Sequence, residues 1–173
     1  MNPNFEDDKD FSVSENIMAK SIIISMLHGV IRVDDAGSQD DIAGVDYWAI
    51  LGEGRRVGID DKLRRDCVRY WPDGKPQVSL EIWSKVPSDG KPGKIGWTLD
   101  QHKRTEYVMF RFSDYKQVFL FPFRLLQMAM ARNIVEWSKI YQICQQDNGS
   151  YKSESIFVPA TIVAAAIVEA MSI

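Results

Sequence analysis

The chain has 173 residues, 45% of them hydrophobic and 26% charged, with a formal net charge of -3, a composition ordinary for a soluble globular domain with a real core. Two cysteines far apart in sequence, Cys67 and Cys144, with no Cys-x-x-Cys pair, argue against a disulfide framework or a thiolate metal site and suit a reducing, cytoplasmic location. Two histidines, His28 and His102, exclude a zinc site built on several imidazoles.

The N-terminal residues are acidic and lack an apolar signal core, so residues 1–10 are expected to be a disordered polar tail. Ser14-Glu15-Asn16-Ile17 opens an amphipathic helix with an apolar face from Ile17, Ile22, Ile23, Ile24 and Leu27, capped by Ser12 or Ser14 and stopped near Gly29. Residues 32–43 read as an acidic loop. A first strand is expected near 45–51, a Gly52-Glu53-Gly54 turn, and a second strand over 55–65. After turn chemistry at 71–77, Val78–Val86 forms a third strand, Tyr107–Phe112 a fourth and Val118–Phe121 a fifth. A long helix follows Pro122 to about Cys144, residues 145–153 form a loop, and within 154–173 a C-terminal helix from about Pro159, where proline is tolerated in a first turn, packs on the core; its apolar run is too short to span a membrane. The order predicts an α/β (α+β) fold with a central mixed sheet of about five strands flanked by helices.

Charge is distributed unevenly. Residues 1–46 hold ten acids and three bases, and the remainder fourteen acids and eighteen bases. An acidic pocket on a mildly basic body suits a metal-dependent enzyme acting on a polyanion, and an acidic tail on an ordinary domain fits equally well.

The chemistry-bearing pattern is Asp46 on the first strand followed, after a tight turn, by Asp60-Asp61-Lys62 on the second. Strand side chains alternate, so Asp60 and Lys62 share a face and Asp61 points the other way, with Ile59 and Leu63. A hairpin would bring Asp46 alongside. Two carboxylates beside an ammonium suit a hard divalent cation and a phosphodiester. Acid-x-Lys triplets are cheap: Asp7/Lys9, Asp73/Lys75, Asp89/Lys91 and Asp114/Lys116 are others, but they fall in the tail or in turns. The bland alternative is a surface ion pair between strand neighbours, worth under about 1 kcal/mol.

Asp46 and the Asp60-Asp61-Lys62 triplet, behind an N-terminal helix, resemble the PD-(D/E)xK nuclease superfamily, and small phage or prophage members in particular, over roughly residues 12–121. Val45 stands where proline is common, Asp60 where glutamate is commoner, and little room is left for a second core helix between the third and fourth strands. The resemblance implies a restriction-endonuclease-like core spanning 1–173 as one nuclease-like domain, and a Mg²⁺- or Mn²⁺-dependent deoxyribonuclease, an endonuclease rather than an exonuclease. It implies that Asp46, Asp60 and the Asp61 backbone carbonyl hold the metal, while Lys62 orients water or steadies the developing charge. It makes Glu15 a further catalytic candidate, by analogy with archaeal Holliday-junction resolvases; a charge complementing the helix dipole is its plainer role. Glu81, on the third strand, is either a further ligand, a holder of Lys62, or a solvent-facing residue.

Arg55, Arg56, Arg64 and Arg65 crowd the hairpin and are expected to contact DNA phosphates, or to guard a strand edge. Trp71, Trp83 and Trp97 offer stacking surfaces, two of them expected in the core. DNA is the expected partner, a membrane is not, and a homodimer would let two sites cut two strands. The competing function is a catalytically inactive nuclease-fold protein acting as a DNA-binding or inhibitory interaction module.

Overall fold

Short alternating apolar segments separated by Gly, Pro and Asp turns produce nine strands and five helices among the described residues. The computed structural model describes residues 4–88 and 90–172, with side chains from Val13 onward apart from Asp41. In chain order these are α1 (Asn4–Met26), β1 (Val30–Asp35), α2 (Ser38–Ile42), β2 (Tyr47–Leu51), β3 (Arg56–Arg64), α3 (Cys67–Tyr70) and β4 (Gln77–Lys85). There follow β5 (Lys94–Ile95), β6 (Tyr107–Phe112), β7 (Gln117–Pro122), α4 (Phe123–Ile140), β8 (Ile143–Asp147), β9 (Lys152–Pro159) and α5 (Ala160–Met171).

The strands form two sheets. A five-stranded mixed sheet runs β1-β2-β3-β6-β7, with β3 and β6 parallel and the other pairs antiparallel. A four-stranded antiparallel sheet runs β5-β4-β9-β8. The mixed α+β character and the five-stranded mixed sheet agree with expectation; the membership of that sheet does not. The Val78–Val86 strand leaves it for the second sheet, and its place is taken by β1, from a stretch expected to be an acidic loop. Val30 to Asp35 (Val-Ile-Arg-Val-Asp-Asp) shows no two-residue apolar alternation: β1 is an edge strand whose ladder is made with β2, and Val33 is its one buried residue.

Period-2 alternation sorts the core. On β6, Val108, Phe110 and Phe112 face one way and Met109 the other. The first set joins Val78 and Leu80 of β4, Ile156 and Val158 of β9, and the inner faces of α4 and α5 in the larger core. Met109 joins Tyr47, Ala49, Val57 and Ile59 beneath Ala19 and Ile23 of α1. The mixed sheet is thus covered by α1 on one face and by the two C-terminal helices and the second sheet on the other.

Other boundaries differ from the sequence reading. Helix α1 reaches back to Asn4, so Ser12 and Ser14 lie inside it rather than capping it, and residues 4–10 are helical rather than a disordered tail. Residues 1–3 of that tail, and Asp89 of one acid-x-Lys triplet, lie outside the described residues. The expected 145–153 loop is largely the β8–β9 hairpin, and residues 154–158 are strand; the C-terminal helix starts at Ala160, with Pro159 at its N-cap, as its proline led one to expect. Exposed β8, rich in polar residues, pairs only with β9 and carries no apolar alternation to read. Gly96 has a steric reason: a Cβ there would overlap the Glu81 backbone carbonyl, which keeps the chain entering Trp97 tight against β4.

Candidate functional site

Antiparallel pairing of β2 with β3 matches Tyr47 to Ile59 and Trp48 to Gly58. The Asp46 N–H continues the ladder, donating to the Ile59 carbonyl at 2.8 Å, which sets Asp46 opposite Asp60. Gly58 permits this close approach: a Cβ there would lie 3.0 Å from Val45 Cγ2 and 3.2 Å from the Arg104 carbonyl. Asp46, Asp60 and Lys62 therefore converge on one face of the hairpin.

Asp60 is the buried member, its side chain 6% exposed, and Lys62 Nζ lies 2.5 Å from Asp60 Oδ1 with the lysine side chain 28% exposed. Burial pushes the Asp60 carboxyl up to about 6; Lys62 opposes the rise, and the adjacent Asp46 carboxyl, within hydrogen-bonding reach, adds to it. Asp46 Oδ2 also accepts the Asp61 backbone N–H at 2.6 Å. Lys62 Nζ lies 5.4 Å from the centre of the Trp97 ring, itself stacked on Phe123.

Asp61 turns to the α1 side, as alternation requires. There Arg111, whose side chain is 5% exposed, grips the Asp61 carboxylate with Nε at 2.9 Å and Nη2 at 2.7 Å, and reaches Glu15 with Nη1 at 2.6 Å. Burial raises the Asp61 carboxyl and Arg111 opposes that rise. Glu15 is therefore part of an ionic triad, centred on the buried Arg111, on the sheet face opposite Asp60. Glu81 is also engaged elsewhere: its Oε2 accepts the Ser84 hydroxyl at 2.6 Å and the Trp97 N–H at 2.9 Å. Glu81 and Lys62 approach Trp97 separately, with no ion pair between them among the described residues.

The four arginines do not form one cluster. Arg56 and Arg64 bracket β3, about 26 Å apart at the usual strand rise. Arg56 stacks over Trp48 at 4.3 Å, with Arg104 at 5.7 Å from the same ring. Arg55 lines a cavity of about 730 Å³ with His102, Lys103, Arg104 and Arg124, in which Glu106 is the one acid. The Glu106 carboxylate accepts the Gly58 N–H at 2.6 Å. Arg64 and Arg65 line a different cavity at the far end of β3. Arg56, Asp60, Lys62 and Arg64 share one face of the strand, so the acid–lysine site lies between two basic ends.

Sequence reasoning missed Arg111 and the His102-Lys103-Arg104 run. The run is visible as a basic triplet, but it lies some forty residues from the hairpin, and the fold closes that gap when the Arg104 N–H donates to the Ala43 carbonyl at 3.0 Å. Arg111 alternates with phenylalanines on β6, and a charged residue within an apolar strand was the available signal.

Among the described residues, no three His, Cys, Asp or Glu side chains are grouped to hold a metal ion. The candidate donors are thus limited to two side-chain carboxylates, Asp46 and Asp60, with the Asp61 carbonyl as the backbone candidate. Two carboxyls in mutual contact, one carrying a raised pKa, form a site that a divalent cation would relieve of its like-charge repulsion. No helix is long and apolar enough to cross a membrane among the described residues. Compared with known proteins, the chain matches no family model, no curated protein and no solved structure.

Proposed function

We propose that the chain is a metal-dependent deoxyribonuclease of the PD-(D/E)xK type, cutting within DNA at the Asp46–Asp60–Lys62 site. The observation that carries the reading is the apposition of the Asp46 and Asp60 carboxyls across the hairpin, with Lys62 on Asp60. The order of elements supports it: a helix, a three-strand antiparallel meander, and a strand parallel to the third, which is the superfamily's arrangement of its core. The crossover carries the short α3 and two strands of the second sheet where that core has a helix, and α4 and α5 cover the corresponding face.

Asp46, Asp60 and the Asp61 carbonyl would hold Mg²⁺ or Mn²⁺, which when bound polarises a phosphodiester and acidifies water. Asp60 must be ionised to act as a donor, and Lys62 favours that state. Lys62, released from Asp60, would set its ammonium against the charge that develops on the phosphorane oxygens. Arg55 and its basic neighbours at one end of β3, and Arg64 and Arg65 at the other, would hold phosphates on either side. A homodimer would bring two such sites to two strands. The deciding experiment is plasmid nicking with Mg²⁺ against EDTA. Cleavage lost in Asp60→Asn and Lys62→Ala, with unchanged circular dichroism, supports the reading; metal-dependent cleavage that survives both substitutions overturns it.

One observation favours a second reading, a catalytically silent DNA-binding or inhibitory module. Lys62 closes directly on Asp60, and little of that carboxylate reaches solvent. Metal-independent DNA binding by the wild-type chain, with no cleavage in Mg²⁺ or Mn²⁺, would favour it.

A further inference from the structure

Between β5 and β6 the chain sets Trp97 beside the acid–lysine site and holds it there at several points. The Gly96 N–H donates to the Ile82 carbonyl at 2.8 Å, and the Trp97 N–H to Glu81 Oε2 at 2.9 Å. The half-buried ring is stacked on Phe123, 6.2 Å between centres, and tilted against Phe110 at 6.4 Å. Lys62 Nζ lies 5.4 Å from the centre of this ring and 2.5 Å from Asp60 Oδ1. One ammonium thus stands within reach of two attractive seats, a carboxylate and a fixed aromatic face.

We propose that Trp97 is the positioning residue for Lys62: when a divalent cation takes over the Asp60 carboxylate, the ammonium leaves Asp60 and seats on the Trp97 ring instead of in bulk water. The proposal rests on the metal-dependent reading of the site. A dication shared by Asp46 and Asp60 would cancel the attraction that holds Lys62 on Asp60 and repel its charge. The flexible four-carbon stem of lysine carries the ammonium from one seat to the other with β3 unmoved. The ring stays in place, because its backbone is tied to β4 and its face to Phe123. The Lys62 side chain is 28% exposed, so its charge is incompletely hydrated, the setting in which attraction to a ring face counts most. The closed Asp60–Lys62 pair is then the metal-free form of the site, and Trp97 keeps the displaced charge at hand for the phosphate.

The test needs no DNA. In protein carrying carbon-13 in its lysine side chains, proton–carbon correlation spectra follow the Lys62 Cε methylene, assigned by its loss in Lys62→Met. Saturating Mg²⁺ should move this signal upfield, deeper into the ring's shielding, and in Trp97→Leu the same addition should move it to the position of exposed lysines. Calorimetric titration with Mg²⁺ alone should show binding weakened about fivefold by Trp97→Leu and less by Trp97→Phe, which keeps a ring face and the stack on Phe123. Neither substitution should change Mg²⁺ affinity in a Lys62→Met background. A wild-type signal that moves to the exposed-lysine position on adding Mg²⁺ overturns the proposal. So do Trp97 substitutions that weaken Mg²⁺ equally with and without Lys62, since that is what a merely structural tryptophan would do. Plasmid cleavage measured in parallel separates this proposal from the nuclease reading. Lys62 moving onto the ring in a protein that cuts nothing sustains the positioning role and sinks the nuclease. Mg²⁺-dependent cutting in a protein whose Lys62 leaves the ring does the reverse, and a chain that binds no Mg²⁺ sinks both.

Discussion

Asp61 donates its backbone N–H to Asp46 Oδ2 at 2.6 Å, while its own carboxylate is clasped on the opposite face of the sheet by Arg111. One residue thus ties the candidate metal-binding carboxylate to the ionic triad under α1. Anything that loosens the Arg111 grip should be felt at Asp46, through the backbone of β3.

Arg111→Ala would leave Asp61 and Glu15 as neighbouring, partly buried acids without their buried cation. Removing one partner from a buried ion pair costs about 3–5 kcal/mol, so the unfolding free energy from urea denaturation should fall by about that amount, with the midpoint moving to lower urea. Arg111→Lys should recover only part of it, because an ammonium cannot make the two-point contact that Nε and Nη2 make with Asp61. Equal stability of wild type and Arg111→Ala would contradict the triad.

Asp60 sets a pH dependence of opposite sign to that of an ordinary ion-paired carboxylate. Its pKa is raised in the folded state, from 3.8 to about 6, so the folded protein binds the proton more tightly than the unfolded chain. The associated stability is complete below about pH 4, falls as pH rises through 6, and is absent at neutrality. Asp60→Asn removes the penalty, and its thermal midpoint at pH 7 should exceed that of wild type, by up to roughly 3 kcal/mol of stability. Differential scanning calorimetry at pH 4 and pH 7 should show the gap between the two proteins closing at the lower pH.

A divalent cation should act on the same pair. Mg²⁺ at a hundredfold excess over its dissociation constant stabilises a folded protein by about 2.7 kcal/mol. The wild-type melting temperature should therefore rise with Mg²⁺ or Mn²⁺, and Asp46→Ala and Asp60→Asn should abolish the rise. Glu81→Gln should leave it intact, since that carboxylate is spent on Ser84 and Trp97. Calorimetric titration with the metal alone gives an independent measure.

The basic cavity at the Arg55 end should make its contribution through phosphate contacts. Arg55→Ala and Lys103→Ala should each weaken DNA binding with little regard to sequence, and each should reduce the slope of log affinity against log salt by about 1. Anisotropy titrations at several salt concentrations would test this. An unchanged slope in both variants would remove this cavity from the interface.

The alternation that puts Asp60 and Lys62 on one face and Asp61 on the other is covalent geometry, and it was legible in a stretch of three residues. The short Gly52–Gly54 turn made the approach of Asp46 legible as well, because a tight hairpin pairs residues only fourteen apart. Glu15 was different. Its helix was readable, but its partner Arg111 is 96 residues away, and nothing local distinguishes an acid that caps a helix from one that enters an ionic triad. The same limit applied to the sheets. Val78–Val86 was recognisable as a strand, yet its apolar face fits either sheet, and its partner β9 follows some seventy residues later. β1 and β8 are edge strands with mostly exposed side chains, so they lack the apolar rhythm that betrays a strand, and their ladders exist only because β2 and β9 lie beside them. Local periodicity fixes which way a side chain points; which backbone hydrogen-bonds to which, and so whether the basic ends of β3 open toward Lys103 or toward Gln146, depends on contacts between segments far apart in the chain.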